Sequence, residues 1–411
     1  MSVYKKVFKK ESGLRYLNLS SLSGAVEELQ KVGADPYGIE AMAPKMMNMN
    51  ILIEDIECKV ANIIKQEMLS IGGDAAVARG SIDCSIAKTD TIIIGTTKQI
   101  RQFADKISSQ PFGLKRIGSD IKQLLDNISR DSFTIRTPKR EIALGDRTLI
   151  MGIINVTPDS FSDGGLFSCV DEAAEYGKAM VRDGADILDV GGESSRPGSD
   201  SVSIEDELNR VIPVIKKLKE AVSVPVSIDT TKADVARKAV ESGAEIINDI
   251  SAMRFDDKMP AVAADCGTPI ILMHMRGTPK DMQEGDLTYR SLSGDIIAFL
   301  KDRIEKAESC GIDSENIIID PGIGFGKTAE DNIKLLKHLS EFRSLGRPIL
   351  VGTSRKSFIG EITGEEDPKM RTYGTAATVT AAIMNGANII RVHDIKAIKH
   401  VAAIADAILR G

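Results

Sequence analysis

From residue 148 onward, short apolar runs recur eight times, and nearly every one stops abruptly on polar side chains. The first, Thr148-Leu-Ile-Met-Gly-Ile-Ile-Asn155, passes straight into a hydroxyl-rich loop closed by Gly164-Gly165. Such runs are nearly continuous in apolar residues, as in strands buried on both faces. They fall at 148–156, 187–193, 224–230, 246–251, 269–275, 317–320, 348–353 and 389–393. Helical spacing fills the gaps at 171–184, 205–221, 232–242, 295–310, 331–340 and 371–385, with a last segment at 395–409. Eight strands alternating with helices over residues 148–411 predict an α/β fold of the (β/α)8 TIM-barrel type, which usually takes about 250 residues. A doubly wound open sheet is the rival. The polar strand ends favour the barrel, which gathers all eight into one cup.

Residues 1–133 have another texture and predict a smaller N-terminal α+β domain. Residues 49–56 alternate like a half-buried strand, and 60–71 have helical spacing that stops at Gly72-Gly73. Residues 75–84 and 91–95 read as two more strands, and 97–109 and 114–129 as two helices. Gly73-Asp-Ala-Ala-Val-Ala-Arg-Gly80 fits a strand with flanking turns, and nothing in this domain points to chemistry. Residues 134–147 carry Pro138 and a Gly145-Asp146 turn and read as the linker. The stretch 141–148 is expected to pair as a short hairpin across the bottom of the barrel.

A net charge of −6, from 53 basic and 59 acidic residues, gives no overall argument for nucleic acid or anionic lipid as a partner. No apolar run approaches the roughly 20 residues of a membrane span. The basic start Met1-Ser-Val-Tyr-Lys-Lys is followed by Glu11-Ser-Gly13, with no apolar core, so a secretory signal is not expected and the cytoplasm is. Cys58, Cys84, Cys169, Cys266 and Cys310 are scattered without a C-x-x-C pair, which suits reduced thiols better than a metal site or disulfide frame.

The strand ends carry Asn155, Glu193-Ser-Ser-Arg-Pro197, Asp229, Asn248-Asp249, His274, Asp320, Ser354-Arg-Lys356, Arg391 and His393. One polar strand end is usually a satisfied hydrogen-bonding residue. Eight in register would be a costly coincidence, because each buried unpaired polar group costs roughly 1–3 kcal/mol. Asp and Asn dominate the middle strands and can pair with a flat heterocycle bearing amino and ring N–H groups. Arg196, Arg391 and His393 can hold a phosphate or diphosphate. Pro321-Gly-Ile-Gly-Phe-Gly-Lys-Thr328 is not a Walker A loop, since Pro stands where that loop starts with Gly. It reads as a loop of the site. His338 and His400 sit in helical stretches as surface residues, and His274 could serve the site or be a core histidine bonded to a carbonyl. Lys356, between Arg355 and Ser357, reads as functional more readily than as a solvated loop lysine.

In this order, MGIINVTPDSFSDGG, ILDVGGESSRPGS, SIDT, NDIS, IDPGIGFGKT, GTSRKS and RVHD resemble the dihydropteroate synthase family of pterin-binding enzymes, over residues 148–411. The resemblance implies condensation of 7,8-dihydropterin-6-ylmethyl diphosphate with p-aminobenzoate, releasing pyrophosphate, in folate biosynthesis. Asp229, Asn248, Asp320 and Lys356 then resemble the pterin-binding residues. Asn155, Arg196, Arg391 and His393 resemble the pyrophosphate site, with Asn155 a ligand of the cofactor Mg2+. Ser195, Pro197, Phe325 and Ser357 resemble the aminobenzoate pocket, although Ser195 stands where the family often has Thr. Lys356, Arg196 and Asp229 are the residues implied to be catalytic. The implied mechanism is dissociative, and loops 157–168 and 194–203 are expected to close over the site. The family also implies a homodimer. A corrinoid-dependent pterin methyltransferase would share Asp229, Asn248 and Asp320 without needing the diphosphate set, and a non-catalytic pterin-binding protein would bind without turnover. A modified arylamine could also replace p-aminobenzoate.

Overall fold

The computed structural model describes residues 15–19, 21–157, 165–196 and 198–410, with the backbone alone at 165–169. Packing divides the chain between Leu125 and Asp126 into two compact units.

The first unit begins with two helices, α1 (Leu22–Val32) and α2 (Pro36–Met46). α2 does not stand out in the sequence, because it has Pro36 in its first turn and Pro44 inside it. There follow β1 (Asn48–Glu57), α3 (Cys58–Ser70), β2 (Asp74–Val77), β3 (Lys88–Thr96), α4 (Thr97–Ile107) and α5 (Leu114–Ser129). The strands form an antiparallel sheet in the order β1-β3-β2. In β3, Thr89, Thr91, Ile93 and Gly95 are buried while their neighbours are not, the period of two that a one-sided sheet requires. A reciprocal Thr96–Gln99 cap starts α4. The strand expected over 75–84 stops at Val77, since Asp83 Oδ1 accepts the Ser85 N–H and bends the chain into turns.

In the second unit, β4 (Phe133–Arg136) and β5 (Glu141–Leu144) pair antiparallel, Ile135 opposite Ile142. The hairpin expected at 141–148 therefore lies further upstream, with Pro138 in its turn. Arg140, paired bidentately at 3.0 and 2.9 Å with the buried Glu245, ties it to the barrel. The barrel follows as β6 (Leu149–Asn155), α6 (Gly165–Asp183), β7 (Ile187–Gly191), α7 (Ile204–Ala221), β8 (Val226–Asp229), α8 (Ala233–Ser242), β9 (Ile246–Asp249), α9 (Met259–Cys266) and β10 (Ile270–Met273). It closes with α10 (Leu292–Ser309), β11 (Ile317–Asp320), α11 (Ala329–Lys337), β12 (Leu350–Val351), α12 (Ser357–Thr363), α13 (Thr372–Met384), β13 (Ile389–Val392) and α14 (Ile395–Arg410). The eight strands run parallel in the order β11-β10-β9-β8-β7-β6-β13-β12, and an Ile319–Ile349 bridge joins the two ends. This is the closed (β/α)8 barrel, and the open sheet is excluded. Within the barrel, the short helices α9 and α12 have no counterpart among the segments expected from the sequence.

Alternation along the strands decides which side chains meet. Ile150, Leu188, Val190, Ile228 and Ile247 face the helices in the main core. Met151, Ile187, Ile246, Ile271, Ile318, Leu350 and Ile389 pack inside the barrel's lower end against Phe133, Ile135, Ile142 and Leu144 of the hairpin. The hairpin is thus a plug. Two residues further along the same strands, the inward side chains include Asp189, Asn248, Asp320 and Arg391, which share the inward face of their strands.

Candidate active site

Arg391 on β13 reaches across the barrel to two acids. Its Nε donates to Asp189 Oδ2 at 2.6 Å and its Nη2 to Asp229 Oδ2 at 2.7 Å. Asn248 Nδ2 donates to the same Asp189 oxygen at 3.0 Å. Asp189 is wholly buried, and its Oδ1 has no partner among the described residues. The sequence reading passed over Asp189 as part of a buried strand. Its signal is parity, because it stands two residues past the inward Ile187 and two short of the strand's end.

Desolvation governs protonation here. Burial pushes the Asp229 carboxyl up to about 7 against the pull of Arg391, and burial pushes Asp320 up to about 6. Lys356 stands at the start of α12 with its Nζ 3.9 Å from the centre of the Phe325 ring. Burial and the nearby Arg391 lower it to about 8. These groups therefore change charge near neutrality, as groups that handle substrate protons do. Asp320 Oδ1 accepts the Gly322 N–H at 2.7 Å, which folds the β11–α11 loop back over the strand.

Lys327 fixes that loop. It is almost fully buried, and its Nζ donates to the Gly322 and Phe325 carbonyls at 2.8 and 3.0 Å and to His274 Nδ1 at 3.0 Å. Burial and the Lys327 charge push His274 down to about 2, so it stays neutral and accepts. His274 is thus a packing residue, edge-on to Phe299 at 4.9 Å. In the sequence, Lys327 resembles only the lysine of an incomplete nucleotide-binding loop.

Of the other strand ends, Asp249 points outward and is consumed by the turn after β9, accepting from Ser251 N, Ser251 Oγ and Met253 N. Glu193 pairs with Lys232, which also holds the buried Glu207 at 2.5 Å. His393 Nδ1 lies 2.9 Å from Ser354 Oγ, and burial with Arg355 and Arg391 lowers it to about 3. It is a neutral hydrogen-bonding group and not a cation. Asn155 is half-buried at the end of β6, opposite Gly191.

Ser195 is half-buried, Arg196 exposed, and Ser357 exposed as the first residue of α12, while Pro197 lies outside the described residues. The loop after β7 rests on the loop after β10, with Gly198 N donating to Pro279 O at 3.0 Å and Lys280 paired to Asp200 at 2.9 Å. Between them opens a cavity of about 400 Å³ lined by Ser195, Asp229, Thr230, Ile250, Phe255 and Lys280 among others. Most of the 157–168 loop lies outside the described residues. The structure thus brings Asp229, Asn248, Asp320, Phe325, Lys356 and Arg391 together at the carboxyl end of the barrel.

The model of one family, pterin binding enzyme, matches residues 151–393. A dihydropteroate synthase of Synechocystis is 51% identical over 267 residues, which cover 65% of this chain and 92% of that protein. A probable bifunctional folylpolyglutamate synthase/dihydropteroate synthase of Halobacterium salinarum is 38% identical over 387 residues, 94% of this chain and 46% of that protein. Its similarity thus extends into the N-terminal unit, and the chain spans less than half of its length. Among solved structures, Xanthomonas albilineans dihydropteroate synthase with 4-aminobenzoic acid superposes with a TM-score of 0.64 at 43% identity, covering 68% of this chain and 99% of that one.

Proposed function

We propose, for a chain that belongs to the pterin-binding enzyme family and there to its dihydropteroate synthases, a division of labour among the residues at the barrel mouth. The reaction condenses 7,8-dihydropterin-6-ylmethyl diphosphate with p-aminobenzoate in folate synthesis. The observation that carries the residue assignment is the inward polar layer in which Arg391 joins Asp189 and Asp229 while Asn248 joins Asp189. Ionised Asp229 and Asp320 would accept N–H groups of the pterin, and the Asn248 amide would read a neighbouring edge. The Lys356 cation would donate to a pterin acceptor from its seat on Phe325.

At the other end, Arg196, Arg391 and His393 would hold the diphosphate, Arg391 through the Nη1 that its two acid contacts do not use. His393 takes part as a neutral donor. Among the described residues no three His, Cys, Asp or Glu side chains converge as a metal cage. The single neutral oxygen of Asn155 fits a Mg2+ that arrives on the diphosphate and keeps its waters. When bound, that ion supplies positive charge against the leaving diphosphate. Holding charge there favours breakage of the C–O bond at the pterin methylene before the amine attacks. Ser195, Pro197, Phe325 and Ser357 would orient the arylamine. The loop after β7, already resting on the loop after β10, would exclude water, which competes with the amine.

The same reading puts the enzyme in the cytoplasm as a homodimer associated through barrel helices. Exposed Tyr373 on α13 and Ile404 and Ile408 on α14 support the dimer; among the described residues no helix is long and apolar enough to cross a membrane. Sedimentation checks the dimer.

The test is pyrophosphate release from the pterin diphosphate with Mg2+, with and without p-aminobenzoate, for the native protein and Lys356→Ala. Amine-dependent release that falls at least a hundredfold in the variant supports the assignment. Pterin binding with no release under either condition would sink it and favour methyl transfer or binding alone.

A further inference from the structure

Two cysteines far apart in the sequence meet in the first unit. Cys58 opens α3 and is buried, whereas Cys84 stands exposed on the turn between β2 and β3. Both are free thiols, with their sulfurs 3.0 Å apart. Reaching the roughly 2.05 Å of a disulfide requires an approach of about 1 Å.

Their surroundings differ in a way that assigns roles. The Ser81 carbonyl oxygen accepts from Cys58 Sγ at 2.7 Å and lies 3.6 Å from Cys84 Sγ, so one acceptor holds the two sulfurs side by side. The Asn62 amide, bonded to the same carbonyl at 2.6 Å, reaches Cys84 Sγ at 4.0 Å. Cys84 is the exposed sulfur of the pair and is therefore the one an oxidant in solution can reach first. Its contact with Cys84, together with burial, holds the Cys58 thiol above the usual range, as befits the proton donor of the pair. Cys84 also has a backbone φ of +51°, which residues other than Gly and Asn seldom adopt and which can mark a functional position.

We propose that Cys58 and Cys84 form a reversible dithiol–disulfide site whose oxidant is a low-molecular-weight disulfide, with Cys84 the attacking and Cys58 the resolving thiol. The Cys84 thiolate attacks one sulfur of the oxidant, the oxidant's S–S bond breaks, and the first small thiolate leaves and takes up a proton. Cys58 then loses its proton, attacks the Cys84 sulfur of the mixed disulfide and expels the second small thiol. Two electrons pass from the cysteines to the oxidant, which ends as two thiols. The new bond ties the first turn of α3 to the β2–β3 turn across 26 positions of sequence and restricts the unfolded chain. The site is independent of the barrel chemistry.

The experiment treats the full-length native protein with oxidised glutathione, then counts thiols and maps peptides by mass. The native protein should lose two of its five thiols and yield one Cys58–Cys84 crosslinked peptide, which dithiothreitol reverses. C58S should stop with one glutathione on Cys84, and C84S should form no adduct at Cys58 at a comparable rate. The first unit should also unfold at a higher temperature when oxidised. A native protein that keeps all five thiols, accumulates the mixed disulfide without crosslinking, or pairs other cysteines would overturn the proposal. Should C58S fail to fold, the native peptide map decides alone.

Discussion

Lys356 and the two acids facing the same space set the window in which the site can work. With Asp229 pushed up to about 7 and Asp320 to about 6, acid protonates the two carboxylates proposed to accept from the pterin. With Lys356 lowered to about 8, alkali removes the cation proposed to donate to it. Because kcat/KM reports the free enzyme, its pH profile should be a narrow bell, falling below about 7 and above about 8. Lys356→Met should lower the whole curve and flatten the alkaline limb. An alkaline limb that persists unchanged would show that another group carries it. Asp189 makes a different demand, since it is wholly buried and its Oδ2 serves both Arg391 and Asn248. Asp189→Asn keeps the shape but removes the charge opposite a largely buried guanidinium, and breaking such a pair from one side costs about 3–5 kcal/mol. Urea unfolding should show a loss of that order. A loss below about 1 kcal/mol would mean that Asp229 alone satisfies Arg391, the outcome expected if water reaches the pair.

The β11–α11 loop is the element on which the site's rigidity depends, and Gly322 is its pivot. Its φ is +70°, and a Cβ there would lie 1.9 Å from the His274 carbonyl oxygen, a backbone atom that cannot swing aside. Gly322→Ala should therefore separate the loop from the end of β10, pulling on Lys327 and misplacing Phe325 beneath Lys356. The expected result is a stability loss above the ~1–2 kcal/mol that left-handed backbone alone costs an L residue, with KM for the pterin diphosphate raised more than tenfold. Near-native KM would show that Phe325 finds its place without the loop. Elements such as this one were only partly legible in the sequence. The strands were, because burial on both faces leaves continuous apolar runs, and so were the long helices with their 3.6-residue period. The 133–136 strand of the hairpin, α9 and α12 were not, because four to eight residues are too few to show a period. The prolines at 36 and 44 hid the helix at 36–46. Within the site, Asp229, Asn248 and Asp320 could be read because a polar residue closes an apolar run. Asp189 sits inside such a run and Lys327 in a glycine-rich loop, so their roles emerge only when strands at distant positions are set side by side.

Over the whole barrel, stability and chemistry occupy opposite ends of the same strands. The upper inward layer is costly. Asp229 and Asp320 have pKa values raised above the unfolded 3.8, so the stability linked to them is complete below that pH and is lost as pH rises through about 6 to 7. Lys356 is depressed, so its contribution is present above the unfolded 10.5 and is lost as pH falls through about 8. Near neutrality these charges are therefore held at the expense of stability, and the apolar lower layer has to offset them. That layer is completed by the hairpin, whose Ile135 is wholly buried among Met151, Ile187 and their neighbours. Truncating such a side chain costs about 2–5 kcal/mol, and in a domain of this size each kcal/mol moves the unfolding midpoint by about 2–4 °C. Ile135→Ala should thus lower the barrel's unfolding midpoint by roughly 4–20 °C. At 25 °C its KM values and pH profile should match those of the native protein, because the altered side chain lies below the inward layer that carries Asp189 and Arg391. Calorimetry and steady-state kinetics on one preparation separate the two effects. A midpoint that does not move would deny the hairpin its role as plug, whereas a raised KM at unchanged midpoint would mean that strain at the bottom of the barrel reaches the substrate through the strands themselves.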